Sequence, residues 1–189
     1  AAEITALAAR EHPEYLAKCG GTYSSEWFFS KILHCLRVDP VVFDAAWSWV
    51  ECCDWITAAL VGETRPDRIK RSRCAAGHKA LFNAAWGGLP AAEFLAKLDP
   101  KLGALRARLF DKTYTADIVA GGLSPAWAQA LGLPVETPVA VGAFDAPVLL
   151  GDINIINGDF YFQDREFRVI RGRLSFTDPA NAEPFLDFR

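Results

Sequence analysis

Methionine is absent from the chain, so Ala1 is either what remains after removal of an initiator or the edge of an excised segment. Long apolar runs are missing as well. No segment approaches the roughly 18 consecutive apolar residues of a membrane span, and Glu3 and Arg10 sit where a signal peptide would be basic and then apolar. The expectation is a cytoplasmic protein without a membrane partner. There is no excess of positive charge, because 20 Lys and Arg face 23 Asp and Glu for a net charge of −3. Nucleic acid, which needs a basic surface, is not an expected partner. Cys19, Cys35, Cys52, Cys53 and Cys74 lack the paired spacing of a zinc site or a redox dithiol, so reduced thiols and no metal are expected. Neither G-x-x-x-x-G-K-[ST] nor G-x-G-x-x-G occurs. Without such a loop no recognisable backbone cradle for nucleotide phosphates is present, and no cofactor is expected in this chain.

What is present is foldable material: 51% of residues are hydrophobic and 12% aromatic, far from the composition that keeps a chain disordered. At 189 residues the chain can bury one sizeable core or two small ones. Its texture changes near residue 147. Every tryptophan, cysteine and lysine precedes Pro147, and phenylalanines crowd the last thirty or so residues.

Before Pro147 the apolar period is helical. Ser24 or Ser25 can cap a helix through Trp27, Phe28, Ile32, Cys35 and Leu36. Asp39-Pro40 opens a second element, and the apolar run from Val41 to Leu60 predicts one long buried helix or a broken pair ending at Gly62. Helices are also predicted at 90–98 and 124–131, the latter closed by Gly132. Residues 137–144 predict a short strand buried on both faces, because apolar residues do not alternate there. Asp145 lies at its C-terminal end.

After Pro147 the period is two, with Ile153/Ile155, Phe160/Phe162, Phe167/Val169 and Leu174/Phe176 on one face. Turn signals at Asn157-Gly158, 163–166 and Arg171-Gly172 predict an antiparallel meander of consecutive strands. The fold class is therefore α+β, a mainly helical part at 1–146 followed by a β-meander tail at 147–189.

The densest polar cluster runs from Arg65 to Arg73 and continues to Lys79. It reads either as a solvated basic loop or as a device in which Gly77-His78-Lys79 presents an ammonium to an anionic or polyhydroxy ligand. His78 has no obvious carboxylate nearby in sequence to orient it, His12 and His34 lie in helical contexts, and structural roles are expected for all three. Asp145 is either a strand-end aspartate or a carboxylate at the edge of a buried strand, where α/β folds place ligands, taking a proton from a substrate hydroxyl.

Gly20–Phe28 (GGTYSSEWF), Glu51–Trp55 (ECCDW), Arg73–Lys79 (RCAAGHK), Trp86–Pro90 (WGGLP) and Gly142–Asp145 (GAFD) together resemble the ribulokinase-like members of the FGGY carbohydrate kinases, in order and spacing. The resemblance covers residues 1–146. It implies an ATP- and magnesium-dependent kinase built from two ribonuclease-H-like domains, phosphorylating L-ribulose. It also implies that Asp145 corresponds to the catalytic base and Lys79 to a sugar-contacting lysine. The departure lies at Asp145-Ala146, which runs into Pro147-Val148 where the family has a histidine and a small-residue helix. The nucleotide domain and the first strands of the sugar domain have no counterpart, so a fragment incompetent for catalysis on its own is expected.

Residues 148–189 resemble the β-rich region of TamB-like assembly proteins, especially in GDFYFQDREFRVIRGRLSF. The chain then reads as chimeric, by natural or artificial fusion. The alternative function is a non-catalytic interaction module, an inhibitor or antitoxin-like partner, whose tail recruits protein through an open β edge. A small sugar is the other expected ligand.

Overall fold

The computed structural model describes residues 1–17 and 19–143 and, of the remainder, the strands 151–155, 158–162, 165–169, 172–176 and 185–188. The chain divides into two compact units, Ala1–Asp145 and Ala146–Arg189. Helices in the first and antiparallel strands in the second make the fold α+β, as composition and period predict.

The core of the first unit is built by α1 (Ala2–Glu11), α2 (Pro13–Leu16), α3 (Phe28–Val38), α7 (Ala92–Leu98) and α8 (Pro100–Leu105). In α3 the residues Phe28, Phe29, Ile32, Leu33 and Leu36 fall on one stripe and are buried, while Lys31, His34 and Arg37 face solvent. They join Ile4, Leu7, Phe94, Leu95, Leu102 and Leu105 in one cluster. Each such side chain stabilises the fold by about 1.5–3 kcal/mol when removed from water. Between α7 and α8 the approach is very close, since a Cβ on Gly103 would stand 2.6 Å from the Cβ of Ala96.

The stretch 41–60 is a broken pair. Helix α4 (Pro40–Ala45) begins with Asp39 accepting from the Val42 N–H at 3.2 Å. Helix α5 (Cys52–Val61) ends at Gly62, whose φ of +78° is the left-handed cap that glycine adopts without a Cβ penalty. Helix α3 starts later than its serines suggest. Trp27 is its N-cap, and Ser24 Oγ instead accepts from the Glu26 N–H at 3.2 Å, a turn ahead of the helix. Similarly the helix expected from Pro90 begins at Ala92, because Leu89 and Pro90 are buried as part of the preceding turn. Ser124 does precede α9 (Pro125–Leu131), though its hydroxyl makes no capping bond.

Two short strands β1 (Arg71–Ser72) and β2 (Thr113–Tyr114) pair in parallel, and β1 leads into α6 (Arg73–Lys79), capped by Ser72 Oγ accepting from the Ala75 N–H. Strands β3 (Val119–Gly122) and β4 (Pro138–Ala140) form an antiparallel pair with a bulge between Val119 and Gly121. The sequence reading of 137–144 as a strand buried on both faces is corrected here. Pro138 and Ala140 are exposed and Val139 is half-buried, because β4 pairs with β3 alone among the described residues.

In the second unit all pairings are antiparallel, and their order departs from a meander. Strand β5 (Gly151–Ile155) pairs with β8 (Gly172–Phe176), and β6 (Gly158–Phe162) pairs with β7 (Arg165–Val169). The registers are continuous, from Gly151↔Phe176 and Ile155↔Gly172 to Gly158↔Val169 and Phe162↔Arg165. The turn signals at Asn157-Gly158, 163–166 and Arg171-Gly172 each include residues outside the described ones. A fifth strand, β9 (Phe185–Phe188), adds to β8 through Leu174↔Leu186; the alternation pattern left it unassigned.

Among the described residues no helix is long and apolar enough to cross a membrane. No disulfide joins any of the cysteines.

Candidate functional site

Lys79 ends α6, where its ammonium lies 3.9 Å from Glu51 Oε2 with 30% and 17% of the two side chains exposed. At that separation the pair is held by charge rather than by a direct hydrogen bond. Burial raises the Glu51 carboxyl above its ordinary value, against the pull of Lys79, Lys31 and Arg71. Glu51 is the N-cap residue of α5 and makes no capping bond with its side chain, which leaves the carboxylate to face the ammonium.

Tyr23 holds the backbone beneath Lys79. Its hydroxyl donates to the Lys79 carbonyl and accepts from the Phe29 N–H at 3.1 Å, so one buried phenol ties the end of α6 to the start of α3. Trp27 lies edge-on to Tyr23 at 5.2 Å between ring centres and to His78 at 5.4 Å. His78 therefore has an aromatic neighbour.

Behind Glu51 is a second charged pair. Asp54, in the first turn of α5, accepts from the Ser72 N–H at 2.8 Å and stands 3.9 Å from Arg71 Nη1. Burial pushes the Asp54 carboxyl up to about 6, with the Ser72 N–H and Arg71 pulling it down. Burial also lowers Arg71 from its usual value. Arg71 donates to the Trp49 carbonyl at 3.2 Å and lies 5.1 Å from the centre of the Phe110 ring. The reading of 65–73 as a solvated loop thus fails at Arg71, which is 1% exposed. Strand β1 carries it into the interior, where carbonyls, a carboxylate and a ring replace its hydration shell. Cys53, beside this pair, has its thiol pushed up to about 12 by burial and by the charges of Asp54 and Glu51. It is no nucleophile at neutral pH.

Gly142 brings the end of the first unit to the same place. A Cβ there would stand 2.5 Å from the Cys53 carbonyl oxygen, so only glycine lets the backbone approach α5 this closely. Asp145 itself lies outside the described residues. The structure thus joins the stretches around Tyr23, Glu51, Lys79 and Gly142, whereas Trp86 of WGGLP turns away to donate to the Leu81 carbonyl at 2.9 Å and to pack on Tyr15. Glu51, Asp54, Arg71 and Tyr23 were not singled out by sequence reasoning. The signals available were that Tyr23, Glu51 and Asp54 lie within the stretches that carry the resemblance and that Glu51 and Asp54 stand three apart at a helix start, which puts both on one side of its first turn.

Comparison with known proteins bears on the same residues. One stretch of 132 residues, 70% of the chain, is 46% identical to ribulokinase of Vibrio parahaemolyticus. Most of the chain is ribulokinase-like. The ribulokinases of Shouchella clausii and Bacillus licheniformis are 38% and 36% identical over 82% and 80% of the chain. The chain spans about a quarter of the length of these relatives, between 23% and 27%. No family model matches it.

Ribulokinase-like sequence implies ATP and magnesium. Among the described residues no three His, Cys, Asp or Glu side chains gather in one place.

Proposed function

We propose that the first unit is the sugar-holding side of a ribulokinase-like kinase, and that Lys79 and Glu51 grip a polyhydroxy ligand of the L-ribulose kind. The supporting observation is the half-buried, loosely spaced pair of Lys79 and Glu51 at the meeting point of the ribulokinase-like stretches. A carboxylate accepts from sugar hydroxyls while an ammonium donates to them, and both bonds strengthen where water is partly excluded. Asp145, three residues beyond the Gly142 contact, is the proposed acceptor of the hydroxyl proton.

In this reading the chain alone does not transfer phosphate. The sequence carries no nucleotide-cradling glycine loop, and it spans about a quarter of the length of its relatives. A coupled assay of ATP turnover, with magnesium and with or without L-ribulose, tests this. The expected rate is the same in both; ribulose-stimulated turnover abolished by Asp145→Asn contradicts it.

A second reading concerns the tail. Among the described residues β9 pairs with β8 alone, which leaves one backbone edge for strand addition by a protein partner. Deleting 147–189 should abolish capture of such a partner, and unchanged capture would refute the reading.

A further inference from the structure

The loop at 66–70 and the segment at 107–114 enclose a cleft of about 340 Å³, within the range of small-molecule sites. Trp47, Phe110 and Tyr114 supply flat apolar surface, and Lys70, Arg108 and Lys112 supply positive charge. Two carboxylates also line it, and each is already held by an arginine. Asp67 accepts from Arg65 at 3.2 and 2.8 Å, and Asp111 accepts from Arg106 at 2.6 Å.

Arg68 also lines the cleft and is paired with Glu63 at 3.6 Å, whereas the other three cations have neighbours of a different kind. Lys70 donates to the Val119 carbonyl at 2.7 Å and lies 5.8 Å from the centre of the Tyr114 ring. Lys112 lies 5.1 Å from the centre of that ring, and Arg108 donates to the Ala46 carbonyl at 3.4 Å. Among the described residues none of the three is paired with a carboxylate. Two ammonium groups on one tyrosine repel each other unless an anion comes between them or near them. Beneath them the buried Arg71 packs on Phe110 and adds a further positive charge.

We propose that this cleft binds a phosphate monoester carrying a flat ring, of the size of a nucleoside monophosphate. Lys70 and Lys112 take the dianion, since ammonium groups bind phosphate as point charges without demanding a fixed orientation. The ring lies against Trp47, which is 53% exposed and offers a face on which a base gains stacking energy. A long polyanion is disfavoured, because the chain as a whole is negative.

Calorimetry on the full chain with adenosine monophosphate, inorganic phosphate and adenosine tests the assignment. Adenosine monophosphate should bind saturably with one-to-one stoichiometry, inorganic phosphate about ten-fold more weakly or worse, and adenosine without measurable heat; affinity should fall as salt is raised. Lys112→Gln alters a surface side chain and should weaken the nucleotide about five-fold or more with the unfolding midpoint unchanged. Trp47→Ala should weaken the nucleotide and leave phosphate as it was. Absence of saturable binding at millimolar nucleotide, equal affinity for phosphate and nucleotide, or affinity unaltered in both variants would overturn the proposal.

Discussion

Asp54 and Arg71 meet at 3.9 Å with 2% of either side chain exposed, tying α5 to β1 directly behind the Glu51 and Lys79 pair. Ionising Asp54 in this setting is opposed by burial, and that opposition is visible in stability. A carboxyl raised from 3.8 to about 6 holds its proton better in the folded chain than in the unfolded one. Its contribution favours folding below about pH 4 and is lost as pH rises to about 6. Asp54→Asn removes the titration. The stability of wild type minus that of Asp54→Asn should therefore decline between pH 4 and pH 7 by roughly 3 kcal/mol. Urea unfolding of both proteins across that range measures it, and a constant or rising difference rejects the account.

Removing the other partner should act with the opposite pH emphasis. Arg71→Met leaves the Asp54 carboxylate with the Ser72 N–H and no guanidinium, so its carboxyl rises further. The expected loss of stability is about 3–5 kcal/mol at pH 8 and smaller at pH 5, where Asp54 is largely protonated. Equal losses at the two pH values would show that Arg71 acts through packing alone.

Tyr23→Phe strips the Lys79 carbonyl and the Phe29 N–H of one shared partner. Because Tyr23 is 1% exposed, water does not replace the hydroxyl. A cost of about 1–3 kcal/mol follows, and hydrogen exchange should show faster opening at the start of α3 and the end of α6. Unchanged exchange at both places would count against this tie.

Gly142→Ala forces the backbone away from Cys53. A destabilisation of about 1–3 kcal/mol is expected from such overpacking, measured by thermal unfolding. A variant as stable as wild type would mean that the segment does not need this close approach.

Helical period located α3 because it buries one continuous stripe, whereas α4 buries Phe43 and α5 buries Asp54, Thr57 and Ala58 while Val41, Val42, Trp55 and Ile56 stay exposed; Gly62 and Gly132 marked ends through a backbone shape that glycine favours. Strand period likewise found β5 to β8. Pairing was not legible in the same way, since Asn157-Gly158 has the composition of a hairpin turn whether or not the ladder uses it. At the site, Lys79 was legible beside Gly77 and His78. Arg71 was hidden, because an arginine within a run of charges looks solvated until a distant aspartate and ring are folded around it. Glu51 was hidden for the same reason: its partner is 28 positions away.

The central claim is that Lys79 and Glu51 form a sugar grip. Titration calorimetry with L-ribulose on wild type, Lys79→Ala and Glu51→Gln tests it most directly. Saturable heat from wild type, with affinity reduced about ten-fold or more in both variants, is the predicted result. No heat from wild type, or the same affinity in all three proteins, would contradict it.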